Sequence, residues 1–104
     1  MFARVVRYSV DPERCEEALH AFERAALEIG EIDGIAGGYV LADGDDGLII
    51  TVTLWTDRTA MENSEVRASR LRQDALRTVD GEIISVERLS VAAEVRARSG
   101  IREY

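Results

Sequence analysis

The sequence predicts an α+β domain with the element order βαββαβ, an antiparallel sheet that carries both of its helices on one face. Three observations lead there. Phe2–Val10, Leu48–Trp55 and Glu82–Val91 carry the alternation or the β-favouring residues of strands, and two runs with apolar residues every three or four positions lie between them. The strand LIITVTLW, Leu48–Trp55, is also largely apolar on both faces. A strand with one wet face alternates with charges, so something must cover each side of this one.

Each element follows from its residues. In Phe2–Val10 the side chains of Phe2, Arg4, Val6, Tyr8 and Val10 share one face, and Ala3, Val5, Arg7 and Ser9 share the other. Asp11-Pro12 then supplies a capping oxygen and a residue suited to the first helical position. The stripe Cys15, Ala18, Leu19, Phe22, Ala25, Ala26 and Ile29 predicts a helix up to Gly30, which is expected to close it in the left-handed conformation. Ile35–Ala42 is the next strand, and Asp43-Gly44-Asp45-Asp46-Gly47 has the residues of a hairpin loop leading into Leu48–Trp55. Thr56 or Asp57 caps a second helix with Ala60, Met61, Ser64, Ala68, Leu71, Ala75 and Val79 on its stripe and Arg67, Arg70, Arg72 and Arg77 beside or opposite it. Asp80-Gly81 ends that helix, and Glu82–Val91 is the last strand.

At 104 residues the chain holds one hydrophobic core and not two. Residues 1–95 are expected to form the domain and 96–104 a polar C-terminal tail. The net charge of −7 opposes nucleic acid as a partner, and every cationic side chain is arginine, which leaves no lysine for Schiff-base chemistry. No long uncharged apolar run marks a membrane span, and the first ten residues lack the pattern of a signal peptide, so a cytoplasmic protein is expected. A single cysteine, Cys15, forms no internal disulfide and has no companions for a zinc site. Asp43, Asp45 and Asp46 lack the spacing of a calcium loop, and His20 lies opposite the first helix's stripe, where it meets solvent. No metal is expected.

LIITVTLWTDRTAMENSE, followed by SRLRQ and the closing EIISVERLSV, resembles the antibiotic biosynthesis monooxygenase domains, and the opening strand with DPERCEEALHAFERAA is similar to them too. The resemblance implies a ferredoxin-like sheet closed by a second copy into a dimeric α/β barrel. Two-fold pairing of one apolar sheet face with itself answers the two-sided strand. It also implies a cofactor-independent oxygenase acting on an aromatic, readily deprotonated phenol or anthrone that supplies its own electrons to dioxygen. That branch carries an Asn four residues before a strand-end Trp, a Tyr six residues after it, and an Arg on the next helix. Trp55 and Arg72 stand at the Trp and Arg places, Thr51 replaces the Asn, and Met61 replaces the Tyr. The haem-degrading branch's His, Trp and Asn places hold Asp74, Ser64 and Arg7 or Tyr8, so its pattern is not met.

Trp55, Thr51 and Arg72 are therefore the candidate catalytic residues. Small side chains on the second helix either let it approach the sheet or leave a cavity. Tyr39, Met61, Ser64, Ala68 and Leu71 are the candidate lining of such a cavity, an apolar site for a small aromatic ligand. Because Met61 has no acidic proton, a second reading stands beside the first, a non-catalytic dimeric protein that binds a small ligand in the same fold.

Overall fold

The computed structural model describes residues 1–98; the rest of the expected tail lies outside them. Strand β1 spans Phe2–Ser9, helix α1 Cys15–Ile29, β2 Ile35–Asp43, β3 Leu48–Trp55, α2 Arg58–Asn63, α3 Glu65–Arg77 and β4 Glu82–Ser90. The sheet is antiparallel with the order β2-β3-β1-β4, the arrangement the βαββαβ pattern demands, because each helix carries the chain over one strand position. Helices α1 and α3 pack together over one face. Among the described residues, no helix is long and apolar enough to cross a membrane.

Side-chain alternation sorts the sheet. Arg4, Val6, Tyr8 and Val10 are buried beneath the helices, as are Ile49, Thr51 and Trp55. The registers Val5↔Val52, Tyr39↔Val52, Leu41↔Ile50 and Ala3↔Leu89 set an apolar group on the other face, where Tyr39, Leu41 and Leu89 are exposed and Val5, Ile50, Val52 and Leu54 are half-exposed. A bulge between Arg7 and Tyr8 shifts the β1–β4 register, so that Ile83 pairs with Tyr8 while Val86 pairs with Val6. Both then lie on the helix side at a spacing of three, an irregularity that a strict period of two does not contain.

Local chemistry altered three details. Asp11 accepts from the Glu13 amide and begins a 3₁₀ turn, Pro12–Arg14, so the regular helix starts only at Cys15. Gly30 closes α1 in the right-handed region and not the left-handed one. The left-handed glycines are elsewhere: Gly34 has φ +87°, where any Cβ meets that of Ala60, and Gly47 has φ +65° against the Val10 carbonyl at the hairpin. The expected single second helix is two. Asp57 caps α2 by accepting from the Ala60 amide at 2.8 Å, and the chain breaks at Ser64, whose hydroxyl donates to the Met61 carbonyl at 2.6 Å. Arg4 donates to the same carbonyl at 2.7 Å. Two side-chain donors thus compete for an oxygen that a continuous helix would give to its own backbone.

Candidate functional site

Two inward-facing regions share the space between helices and sheet. The first is a packed apolar cluster, with Ile32 and Ser64 also bordering a surface hollow beside Asp57 and Arg67. Trp55, Met61 and Ala68 form a buried cluster with Ile29 and Ile32, and Leu71 packs against it. Ser64 and Ala68 are small because α2 and α3 come close to the sheet here, and both are buried. At its centre lies the fully buried Arg4, whose guanidinium stands 5.5 Å from the Trp55 ring centroid. Arg4 also donates to Ser64 Oγ at 3.2 Å and to Glu65 at 2.6 Å. Glu65 accepts a further bond at 2.6 Å from Arg88 on β4, so one carboxylate ties β1, α3 and β4 together.

The second region is open. A cavity of about 210 Å³ lies between the second half of α1, strands β2 and β3, and Arg72 of α3. Phe22, Ile29 and Val40 give it apolar walls, while Thr51 and Thr53 present hydroxyls from alternate positions of β3. Arg72 is 4% exposed, and its Nε and Nη1 have no hydrogen-bond partner among the described residues. A buried guanidinium with no carboxylate beside it is costly, and an anion in the cavity offsets that cost. Thr51 Oγ1 lies 3.3 Å from the hydroxyl of Tyr8, which is fully buried. Burial pushes the Tyr8 phenol above its ordinary value; the Thr51 bond and the charges of Arg72 and Arg4 oppose that rise without cancelling it. Trp55 does not border this cavity; its indole Nε1 donates at 3.0 Å to Oγ1 of Thr53, which does.

A model of the antibiotic biosynthesis monooxygenase family matches residues 1–78. The chain belongs to that family. Several solved structures share the fold of this family member. A Deinococcus radiodurans protein, designated provisionally as an antibiotic biosynthesis monooxygenase, superposes with a TM-score of 0.75 at 15% identity, covering 93% of this chain and 98% of that one. A variant of SnoaB, a cofactor-independent oxygenase from Streptomyces nogalater, gives 0.72 at 20% identity over 90% of this chain and 95% of its own. Rv0793 from Mycobacterium tuberculosis gives 0.66 at 16% identity, with 89% and 96% covered. No match was found among curated proteins.

Of the residues singled out in the sequence of this monooxygenase-family chain, the cavity gathers Thr51, Arg72 and Tyr39. Tyr39 remains 67% exposed, since its register opposite Val52 turns it to the open face. Trp55, Met61, Ser64, Ala68 and Leu71 do not border it. Sequence reading passed over Thr53 and Tyr8. Alternation places Tyr8 on the inward face of β1 and Thr51, Thr53 and Trp55 on the inward face of β3, and that shared face was the available signal. Cys15 is buried and His20 exposed. Among the described residues, no group of three or more His, Cys, Asp or Glu is placed to hold a metal.

The Glu65 bridge predicts an acid response. Burial raises the carboxyl's pKa, but the Arg88 hydrogen bond and the charges of Arg4 and Arg88 outweigh it and hold Glu65 below the ordinary carboxylate range. A group depressed in the folded state stabilises above its unfolded pKa and loses that contribution as pH falls through the folded one. Urea unfolding should therefore find Glu65→Gln less stable than wild type at neutral pH, with the two converging below about pH 4. A constant gap down to pH 3 would sink this account.

Proposed function

We propose that the protein is a cofactor-independent oxygenase that converts a readily deprotonated aromatic substrate of the phenol or anthrone class with dioxygen. The observation that carries this reading is the cavity itself, apolar walls around a Thr51 hydroxyl and one buried guanidinium that has no carboxylate partner among the described residues. Membership in the family supports it as well. In the cavity, the anion of an anthrone-type CH₂ passes one electron to dioxygen, and the two radicals join in a C–O bond. The peroxide takes back a proton. Loss of the second C–H proton with hydroxide then gives the ketone and one water, so that CH₂ and O₂ become C=O and H₂O. The role of Arg72 is to stabilise the anion, and that of the apolar walls is to hold the ring and exclude water.

The same reading has the protein work as a homodimer in the cytoplasm, with the open sheet faces pressed together. The apolar group around Val52 supports the dimer, and the lone buried Cys15 suits a reducing compartment. Oxygen uptake and quinone absorbance across a panel of anthrones and phenols test the reaction. Arg72→Met should lower kcat/KM roughly 100-fold. Its melting temperature should hold or rise, because an unpaired buried charge is replaced by a side chain of similar length. A panel that binds but consumes no oxygen would leave the non-catalytic binding protein in its place, a reading favoured by the burial of Met61 away from the cavity.

A further inference from the structure

The two cavity threonines are each bonded from behind. The Trp55 indole can only donate, so the oxygen of Thr53 is the acceptor and the proton of Thr53 stays free. Tyr8 is fully buried, and its hydroxyl has Thr51 as its only hydrogen-bond partner among the described residues. If Thr51 donated to Tyr8, the phenol proton would be left buried without an acceptor among the described residues, which is costly. Donation from Tyr8 to Thr51 satisfies that proton and leaves the hydroxyl proton of Thr51 to the cavity. Two other polar side chains border the cavity: Arg72, which has donors only, and Tyr39, which its register turns toward the open sheet face. No carboxylate, imidazole or thiol borders the cavity among the described residues.

We propose that this wall is an oxyanion site made of donors, in which Tyr8 and Trp55 are positioning residues that aim the hydroxyl protons of Thr51 and Thr53 at a phenolate or enolate oxygen held by Arg72. A neutral phenol brings one more donor to a wall of donors, whereas its anion brings the missing acceptor. The site therefore takes the ionised form of its ligand and draws ionisation forward. This rests on the cavity assigned above as the reaction site, and it gives Trp55 a part that needs no contact with substrate.

The test uses 4-nitrophenol, which turns yellow on ionising and is too electron-poor to be oxidised in the cavity. Wild-type protein should deepen the yellow colour in mildly acidic buffer, lowering the apparent pKa of the bound phenol by about one unit, a tenfold preference for the anion. Tyr8→Phe keeps the ring and loses only the donor; Trp55→Phe loses the donor together with part of the buried indole, so its melting temperature is measured beside its affinities. Each should cut that preference about threefold or more while affinity for the neutral phenol stays the same. Thr53→Ser should retain the preference and Thr53→Val should lose it, which reads the Trp55 bond from its other end should Trp55→Phe fold poorly. A purely structural role would lower both affinities together, or the melting temperature alone. Equal affinity of wild type for both forms, or no colour change at all, overturns the proposal, and an unchanged preference in either Phe variant removes that residue from it. Oxygen uptake without anion preference would leave the reaction standing and this inference fallen; anion preference without oxygen uptake would do the reverse.

Discussion

Val52→Glu should turn a dimer into a monomer. Val52 sits in the middle of the open sheet face, paired with Val5 on one side and Tyr39 on the other. A two-fold interface meets every substitution twice, so each new carboxylate is driven into apolar surface opposite its own copy. Light scattering at micromolar concentration should show wild type as a dimer and the variant as a monomer, with dissociation at least about 100-fold easier, on the order of 3 kcal/mol. The melting temperature should fall with it, since subunits of obligate pairs lose stability when separated. Leu27→Glu is the control: Leu27 is 76% exposed on α1, away from the open sheet face, and should leave the dimer intact. A monomeric wild type, or a Val52→Glu variant that remains dimeric, would refute the pairing.

Arg4→Ala should be the most damaging single change in the core. It removes four interactions at once: the donors to the Met61 carbonyl and to Ser64 Oγ, the partner of Glu65 and the cation over Trp55. It also opens a void beneath the α2–α3 break. Truncating a large, fully buried side chain to Ala costs about 2–5 kcal/mol, which for a domain of this size lowers the melting temperature by on the order of 10 °C or more. Arg88→Ala, on the other side of Glu65, should cost under about 1 kcal/mol because Arg88 is 47% exposed. Urea unfolding followed by Trp55 fluorescence measures both. Similar losses for the two arginines would show that Arg4 is no more than a surface partner.

The strands and their order were legible because alternation is a local signal, and β3 was read to its observed ends, Leu48 and Trp55. The same alternation placed Arg4 on the inward face of β1, yet nothing local could name its partner. Glu65 lies 61 residues further on and meets Arg4 only after α3 crosses the sheet. The break at Ser64 was hidden for a related reason. The stripe from Ala60 to Val79 runs through it without a gap, and the competing donor comes from another strand. Small residues on the second helix suggested either close packing or space: Ala68 lies in the packed cluster and Ser64 borders a surface hollow, while the cavity with Thr51 and Arg72 lies between α1 and β2, where no sequence pattern measures separation. Arg72 was singled out through resemblance, since its place beside the apolar stripe did not foretell that it would be buried.

Strand β2 serves two surfaces at once. It is an edge strand, hydrogen-bonded among the described residues only to β3. Gly38 and Val40 border the cavity on the helix side, while Tyr39 and Leu41 stand on the apolar sheet face. Edge strands with exposed backbone are the segments that open most readily on their own, which makes β2 the cavity's most yielding wall. Whatever covers Tyr39 and Leu41 also restrains Gly38 and Val40, for they are neighbours in one short backbone. Ligand occupancy and self-association are thereby linked by reciprocity: if assembly tightens the grip on a ligand, the ligand must tighten assembly by the same factor.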